Sequence, residues 1–194
     1  MKPGSVLVFC ASSRSCDAAY HEAARRLGRE LARAEVRIVY GGGAYGSMGA
    51  LADGAISEGG NVLGVLPHFM KELEWGHSHL DSLELVDDMR ERKRRMLAAA
   101  DAVVALPGGC GTLEELMEAI SFKRLGLFTG PIVMVNTRGF YEPCIDLLKR
   151  CVEERFMSEE HEAMWSVVDE PEQVLGAIEA APGWSEEARG FAIT

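Results

Sequence analysis

The chain has 194 residues, 47% hydrophobic and 26% charged, with a formal net charge of −10, and this length suits one α/β domain with a full core. The acidic balance argues against nucleic-acid binding and membrane-surface binding, because either function would need a basic face. The five cysteines lack zinc-ligand spacing, and no apolar run predicts a secretion signal or a membrane span, so we expect a cytoplasmic protein.

Apolar runs that end at polar or glycine-rich loops alternate with segments of helical spacing along the chain. The predicted strands cover residues 6–10, 36–40, 61–66, 83–86, 101–106, 131–135 and 166–168. The predicted helices cover residues 17–34, 49–58, 88–100, 141–155 and 171–180, and another begins at residue 112. This alternation predicts a Rossmann-like α/β fold, a single open parallel sheet with helices on both faces. We expect one domain over residues 1–181 and a C-terminal tail over residues 182–194, loosely held or packed on a partner chain.

The hydrophobic residues of segment 68–82 recur with no sustained spacing. We interpret the segment as a lid or an excursion from the sheet. They include His68, His77 and His79. Exposed loop histidines are the favoured interpretation and metal ligands the alternative, because no cysteine or pair of acidic residues accompanies them at a metal-binding spacing. We therefore predict no metal site.

Two glycine-rich turns follow predicted strands, at residues 41–49 and at residues 108–111. In an open parallel sheet the ligand lies at the carboxyl ends of the strands, where the strand order reverses. The first turn is neither a dinucleotide fingerprint nor a P-loop, because no acidic residue closes the next strand and no G-K-[ST] follows. These turns favour a mononucleotide or a sugar phosphate as the ligand.

The second turn leads into a helix that we predict to open at Thr112, with Leu113, Leu116 and Ile120 on its apolar stripe. Free N–H groups at the start of this helix would form an anion site. Thr112 and Glu115 also have the spacing of a capping box, in which Glu115 only closes the helix start. This window alone leaves the two interpretations as equal alternatives. On a helical projection, Glu115 lies opposite the apolar stripe.

The window of residues 89–96 in the predicted helix at residues 88–100 carries five basic residues in an acidic protein. A solvated helix face explains those that project away from Met89 and Met96. Arg92 and Lys93 instead border the apolar stripe. An anionic ligand or a buried acid explains Arg92 better than a solvated face does, whereas for Lys93 the two explanations are equal.

These motifs together resemble the LONELY GUY family of cytokinin riboside 5′-monophosphate phosphoribohydrolases, also labelled lysine decarboxylase-like. Residues 107–115 read PGGCGTLEE, where the family has P-G-G-x-G-T-x-x-E, and residues 89–93 read MRERK, where the family has M-H-x-R-K. The turn at residues 41–49 reads GGGAYGSMG, which is similar to the family's first glycine loop. The chain departs from the family pattern at Arg90, which bears on substrate preference, and at Ala11, which bears on the phosphate loop.

The resemblance implies hydrolysis of the N-glycosidic bond of a purine nucleoside 5′-monophosphate, AMP or N6-modified AMP, to free base and ribose 5-phosphate. It also implies a homodimer or a higher assembly of dimers, with no metal and no organic cofactor. The implied catalytic residues are Arg92 and Glu115. The substrate-binding residues are expected to be Lys93, Gly108, Gly109, Cys110, Gly111, Thr112 and Glu114 and, in the first turn, Gly42, Gly43, Gly46, Ser47, Met48 and Gly49.

The residue types fit this chemistry. Cleavage builds positive charge on the ribose, so a carboxylate such as Glu115 would stabilise it or activate water. Arg92 is unsuited as an acid because its pKa is above ~12, but it offers charged donors to the phosphate, to Glu115 or to the departing base.

Two other functions are to be weighed. A non-catalytic carrier or sensor of a phosphorylated ligand, similar to molybdenum-cofactor carrier proteins, is the alternative to an enzyme. A lysine decarboxylase is excluded, because the chain is too short for such an enzyme and its lysines lack the setting of a Schiff-base lysine.

Overall fold

The computed structural model describes residues 2–73, 75–80 and 82–190, with Arg189 described by its backbone alone. Within these ranges, seven parallel strands form one sheet in the order β4-β3-β2-β1-β5-β6-β7. The strands are β1 (Ser5–Phe9), β2 (Arg37–Tyr40), β3 (Val62–Pro67), β4 (Ser82–Val86), β5 (Ala102–Ala105), β6 (Ile132–Val135) and β7 (Ser166–Val168). The predicted open parallel sheet is confirmed, and each strand overlaps a predicted one.

Helices cover both faces of the sheet, as predicted. They are α1 (Ala18–Arg33), α2 (Gly46–Ser57), α3 (His68–Glu72), α4 (Met89–Ala98), α5 (Cys110–Arg124), α6 (Glu142–Glu153) and α7 (Val174–Ala180). One core cluster joins the sheet to α1, α2 and α7, and a second joins it to α4, α5 and α6. In the described part of the chain, every helix is too short or too polar to cross a membrane.

The strands β1 and β5 lie side by side in the middle of the sheet. Leu7 pairs with Val103 and Phe9 with Ala105, and all four residues are buried. Strands buried on both faces need continuous apolar runs, which is the pattern that predicted them. Later strands add beyond β1 in one direction and beyond β5 in the other, so the strand order reverses between these two. The loops that leave their carboxyl ends border the crevice in which such sheets bind ligands.

Helix α5 begins two residues earlier than predicted, at Cys110, with Gly109 as its N-cap. The Leu113 N–H donates to the Gly109 carbonyl at 3.0 Å, which sets the first turn of the helix. The predicted capping box is wrong, because Thr112 and Glu115 both lie inside the helix and no side chain caps its start. Glu115, which the helical projection placed away from the apolar stripe, is buried and is 6% exposed.

The lid predicted at residues 68–82 begins with α3 and then follows the rim of the first glycine turn. Gly76 forms an antiparallel bridge with Gly43. The Ala44 N–H donates to the Trp75 carbonyl at 2.9 Å. These contacts hold the segment against the turn. Positions 74 and 81 of the segment lie outside the described residues.

The histidines of this segment differ in their environments. His68 and His79 are exposed, as expected. For His77 the expectation of an exposed side chain is wrong, because this residue is 7% exposed. Its Nδ1 accepts from the His79 N–H at 3.3 Å, and its Nε2 lies 3.1 Å from Oδ1 of Asp53 on α2. The Nε2 atom therefore carries the proton and donates to Asp53, which compensates for burial of the ring.

The described part of the predicted tail, residues 182–190, packs on the chain itself. Trp184 packs against the core cluster on the α5 face of the sheet. Its indole N–H donates to the Lys123 carbonyl at 2.7 Å. Phe191, which the sequence placed in the same tail, lies outside the described residues. The boundary between a domain and a tail at residue 181 stays a prediction.

Candidate active site

A cavity of about 440 Å³ opens at the carboxyl ends of β1, β2 and β5. Its wall is formed by the loop after β1, both glycine turns, the lid segment and residues of α4 and α5. Nine of the predicted site residues line it: Arg92, Glu115, Glu114, Gly109, Cys110, Gly111, Thr112, Gly43 and Met48. The sheet therefore brings the separate sequence motifs into one site at the reversal of strand order.

Arg92 and Glu115 meet in the wall of this cavity. Arg92 extends from α4 and is 5% exposed, and Glu115 extends from α5 and is 6% exposed. The Nη1 atom of Arg92 lies 3.5 Å from Oε1 of Glu115. The guanidinium also bonds to backbone, since Nε donates to the Val65 carbonyl and Nη2 to the Gly41 carbonyl, both at 3.1 Å, and Nη1 lies 3.9 Å from the Met89 sulfur. These carbonyls fix the guanidinium beside the carboxylate.

Burial changes the electrostatics of both members of this pair. It raises the pKa of the Glu115 carboxyl, and the Arg92 guanidinium opposes part of that increase. It lowers the pKa of Arg92, and the Glu115 carboxylate opposes part of that decrease. Each charge therefore depends on the other, and removal of one partner would leave an unpaired charge in the wall of the cavity.

The start of α5 forms the anion-binding end of the cavity. The N–H groups of Cys110, Gly111 and Thr112 precede the first intrahelical bond, so the helix geometry leaves them for a ligand. A helix N-terminus carries partial positive charge, which favours phosphate. Gly108 lies behind this wall, where a Cβ would come within 2.2 Å of Oγ1 of Thr112. Glycine at this position therefore permits close packing of the turn on the helix.

The first glycine turn contributes partly to the cavity and partly to its support. Gly43 and Met48 line the cavity. Four predicted residues lie behind its wall: Gly42, Gly46, Ser47 and Gly49. A Cβ at Gly46 would lie 2.4 Å from the Ser13 carbonyl oxygen, so glycine lets the turn approach the loop after β1. For all four residues, contact with substrate stays a prediction.

Lys93 lies beside the cavity and does not line it. Its Nζ forms ion pairs with Glu114 and, at 3.1 Å, with Glu118. These pairs join α4 to α5, the two helices that carry Arg92 and Glu115. Bracing of the helices accounts for the position of Lys93, and its contact with substrate stays a prediction.

An apolar wall of the cavity was missed by the sequence reasoning. It contains Leu66, Met70, Trp75 and Met89. Met70 and Trp75 belong to the lid segment, where the hydrophobic period was too weak to assign a role. The available sequence signal for this wall was a tryptophan and a methionine. Both stand in a segment without hydrophobic periodicity, next to a turn predicted to bind the ligand.

The loop after β1 is also part of the wall, and only Ala11 of this loop was connected with the site from the sequence. Ala11, Ser12 and Ser13 line the cavity, and the Ala11 carbonyl accepts from the Met48 N–H at 3.1 Å. The sequence signal for a role of this loop in the site was its small polar residues. They directly follow a buried strand next to the point where the strand order reverses.

The chemical groups of the cavity are a buried carboxylate, a fixed guanidinium, free amide N–H groups and an apolar wall. In the described ranges, no group of three or more His, Cys, Asp or Glu side chains is placed to hold a metal ion. No lysine of those ranges lines the cavity either. This arrangement can bind a phosphate and stabilise a positive charge that develops near Glu115.

Comparisons with known proteins agree with the motifs. A family model described as "Possible lysine decarboxylase" matches residues 48–178. The cytokinin riboside 5′-monophosphate phosphoribohydrolase of Rhodococcoides fascians is 37% identical over an alignment that covers 91% of this chain and 89% of that protein. A probable cytokinin riboside 5′-monophosphate phosphoribohydrolase of Oryza sativa subsp. japonica is 35% identical over 90% of this chain and 70% of that protein.

Solved structures share the fold at lower identity. The molybdenum cofactor carrier protein of Chlamydomonas reinhardtii superposes with a TM-score of 0.70 at 19% identity and covers 92% of this chain and 97% of its own. The molybdenum cofactor binding protein of Rippkaea orientalis superposes with a TM-score of 0.68 at 20% identity, over 93% of this chain and 97% of its own. At this identity the likeness concerns the fold alone.

Proposed function

The chain belongs to the LONELY GUY family, whose model is described as "Possible lysine decarboxylase", and we propose that it hydrolyses the N-glycosidic bond of a purine nucleoside 5′-monophosphate. The substrate is AMP or an N6-modified, cytokinin-type AMP, and the products are the free base and ribose 5-phosphate. The observation that carries this proposal is the buried pair of Arg92 and Glu115, 3.5 Å apart in the wall of a cavity of about 440 Å³.

Glu115 supplies the carboxylate that the reaction needs. Departure of the base leaves an oxocarbenium-like ribose, and a nearby carboxylate stabilises this charge or orients and deprotonates the attacking water. Glu115 lines the cavity and, within the described part of the chain, accepts one side-chain hydrogen bond, from Arg92. Its remaining acceptor positions are available to water or to the ribose.

Arg92 orients Glu115 and supplies a fixed positive charge. Two backbone carbonyls, Glu115 and the Met89 sulfur take four of its five N–H groups, which leaves one donor for the phosphate or for charge on the departing base. Because the backbone carbonyls already hold the guanidinium in place, it need not reorganise when charge develops.

The phosphate supplies binding energy at a distance from the bond that breaks. The start of α5 and the first glycine turn meet at the cavity, and the start of α5 offers amide N–H groups to it. Binding energy from such a non-reacting group can be used to orient the ribose and the base. The apolar wall that contains Leu66, Met70 and Trp75 fits the base end of the substrate.

The rival function is a non-catalytic carrier or sensor of a phosphorylated ligand. Structural likeness to molybdenum-cofactor carriers supports only a shared fold, at 18–20% identity. The curated relatives at 35–39% identity carry names of phosphoribohydrolases. A carrier has no need of a buried carboxylate paired with a fixed guanidinium in its ligand site, so the pair favours the enzyme.

The experiment that tests the proposal is direct. Purified protein is incubated with AMP and with its N6-isopentenyl analogue, and free base and ribose 5-phosphate are measured by chromatography. Release of base in step with ribose 5-phosphate is the expected result. Tight binding of both nucleotides without release of base from either would support the carrier instead.

We also propose that the protein is a cytoplasmic homodimer that does not bind nucleic acid. Free cysteines in the described chain support a reducing compartment, and the net charge of −10 disfavours nucleic-acid binding.

A set of exposed apolar side chains supports the dimer. Their exposed fractions are 37–55%, and the residues are Phe69, Leu73, Trp75 and Met89, of which the last two also line the cavity. Such a set of apolar side chains is typical of a protein interface. Sedimentation at twice the chain mass of 21.1 kDa is expected, and a monomer would contradict the dimer.

A further inference from the structure

The lid segment, residues 68–82, contains a buried histidine that the proposed hydrolysis does not use. His77 is 7% exposed, and its Nε2 donates to Oδ1 of Asp53 at 3.1 Å. Asp53 belongs to α2, the helix into which the first glycine turn leads. Among the residues that the structure describes, no other side-chain hydrogen bond or ion pair joins the lid segment to the rest of the chain. The contact between His77 and Asp53 is therefore the polar side-chain link between the lid segment and the body of the protein.

Two backbone hydrogen bonds flank the glycine bridge between the lid segment and the first glycine turn. The Ala44 N–H donates to the Trp75 carbonyl, and the His77 N–H donates to the Gly42 carbonyl, both at 2.9 Å. A bridge of two hydrogen bonds is marginally stable by itself. The side-chain bond of His77 lies at one end of this bridge, so it adds to the contacts that keep the bridge in place.

The other end of the bridge sets the position of Trp75. The backbone of Trp75 is held by Ala44 and, through its own N–H, by the Met70 carbonyl at 3.1 Å. The side chains of Trp75 and Met70 line the substrate cavity, whereas His77 does not line it. Trp75 is 46% exposed, so core packing restrains its ring only in part. A displacement of the bridge would therefore move Trp75 in the cavity wall.

The lid segment and the anion-binding end of the cavity lie at different positions along the sheet. The lid segment follows β3, and α5 follows β5. The order β3-β2-β1-β5 separates them by three strand spacings, or about 14 Å. A nucleoside monophosphate whose phosphate lies at the start of α5 therefore presents its base to Trp75.

We propose that His77 is a positioning residue for the base of the nucleotide, although it lies outside the cavity. Its hydrogen bond to Asp53 holds the glycine bridge, and the bridge holds Trp75 against the base and any substituent on N6. Loss of this hydrogen bond weakens binding of the base and leaves binding of the ribose phosphate unchanged. The inference rests on the proposed function for the chemical class of the ligand.

The His77 imidazole needs an acceptor at Asp53 and does not need its negative charge. Nδ1 of His77 accepts from the His79 N–H at 3.3 Å, so the ring is neutral and Nε2 carries its proton. Asp53 also lies 3.7 Å from Nη1 of Arg25, but its side chain is 51% exposed, and exposed ion pairs contribute little. Asparagine at position 53 would keep an oxygen acceptor for His77, whereas alanine would leave a buried donor without a partner.

The test compares the affinities of three ligands by calorimetry in the wild type, Asp53→Ala and Asp53→Asn. The ligands are ribose 5-phosphate and the carbocyclic analogues of AMP and of N6-isopentenyl AMP, which have no glycosidic bond to hydrolyse. Asp53→Ala should weaken binding of both nucleotide analogues about tenfold and leave ribose 5-phosphate unchanged. Asp53→Asn, the matched control, should bind all three ligands like the wild type. These affinities can be measured whether or not the protein hydrolyses AMP, so failure here is distinct from failure of the proposed function.

A second comparison tests whether the effect reaches the ligand through Trp75. In a Trp75→Ala background, Asp53→Ala should cause no further loss of nucleotide affinity, because the side chain that the bridge positions is absent. An undiminished effect in that background would overturn the proposal. Wild-type nucleotide affinity in Asp53→Ala would overturn it as well. An equal loss of affinity for ribose 5-phosphate and for the nucleotide analogues would also overturn it, since it would show a general loosening of the site.

Discussion

The Nη1 atom of Arg92 lies 3.5 Å from Oε1 of Glu115, and this contact joins α4 to α5 beneath the substrate cavity. A buried ion pair is weak evidence for stability, because desolvation offsets much of the attraction between its charges. The pair is therefore better explained by the chemistry of the site. Both groups line the cavity, so either can act on a bound nucleotide.

The pH profile of turnover should reflect the burial of Glu115. In the proposed mechanism the carboxylate is the active form, and burial raises the pKa of this group above the ordinary 4.5. Activity is therefore lost as pH falls, and the acid limb of kcat/KM should have its midpoint above 4.5, since this limb reports the free enzyme.

Removal of the Lys93 charge should shift the acid limb of the kcat/KM profile. This positive charge lowers the pKa of Glu115, so Lys93→Met should shift the acid limb to higher pH. Lys149→Met, an exposed change on α6, is the matched control and should leave the limb in place. A limb at or below 4.5 in the wild type, or one that Lys93→Met leaves unmoved, would count against Glu115 as the titrating group.

Gly41→Ala should displace Arg92. A Cβ at this position would lie 1.9 Å from Nη2 of Arg92, so the guanidinium must move and lose its bond to the Gly41 carbonyl. Loss of a hydrogen bond to a charged group predicts a fall in kcat/KM of about tenfold or more. Gly176→Ala on α7 is the control, because nothing lies within 4 Å of its Cβ position. Equal activity of the two variants would mean that the position of Arg92 is unimportant.

The burial of Lys123 predicts that the free energy of unfolding depends on pH. Lys123 is 1% exposed, and burial lowers its pKa from 10.5 to about 8. Between these values the unfolded chain binds more protons at Lys123 than the folded chain does, so the free energy of unfolding rises with pH. Relative to Lys123→Met, the wild type should gain up to about 3 kcal/mol across this window. Urea denaturation of both proteins measures the difference, and parallel curves would contradict the prediction.

The sheet could be predicted from the sequence because its strands are buried on both faces and stand out as apolar runs. The run at Val6, Leu7 and Val8 is an example. The site was located because both glycine turns follow such strands. The proposed catalytic pair, however, depended on a family resemblance, since the residues alone left Glu115 either as a helix cap or as part of an anion site.

Two features of the site required the folded structure. The helix start at Gly109 could not be distinguished from a cap at Thr112, because both have a plausible sequence signal and only the backbone decides between them. His77 could not be predicted as buried, because its partner Asp53 is distant in sequence. The apolar wall around Trp75 was missed for the same reason, since its contacts with the first glycine turn are long-range.

The most direct test of the account is the comparison of base release and AMP affinity in the wild type and in Glu115→Gln. The amide keeps the size of the side chain but cannot provide a negative charge, so turnover should fall at least about a hundredfold while AMP affinity is retained. Glu118→Gln, one turn further along α5 and paired with Lys93, is the matched control and should keep its turnover. Unchanged turnover in Glu115→Gln would contradict the account and leave Glu115 with a structural role alone.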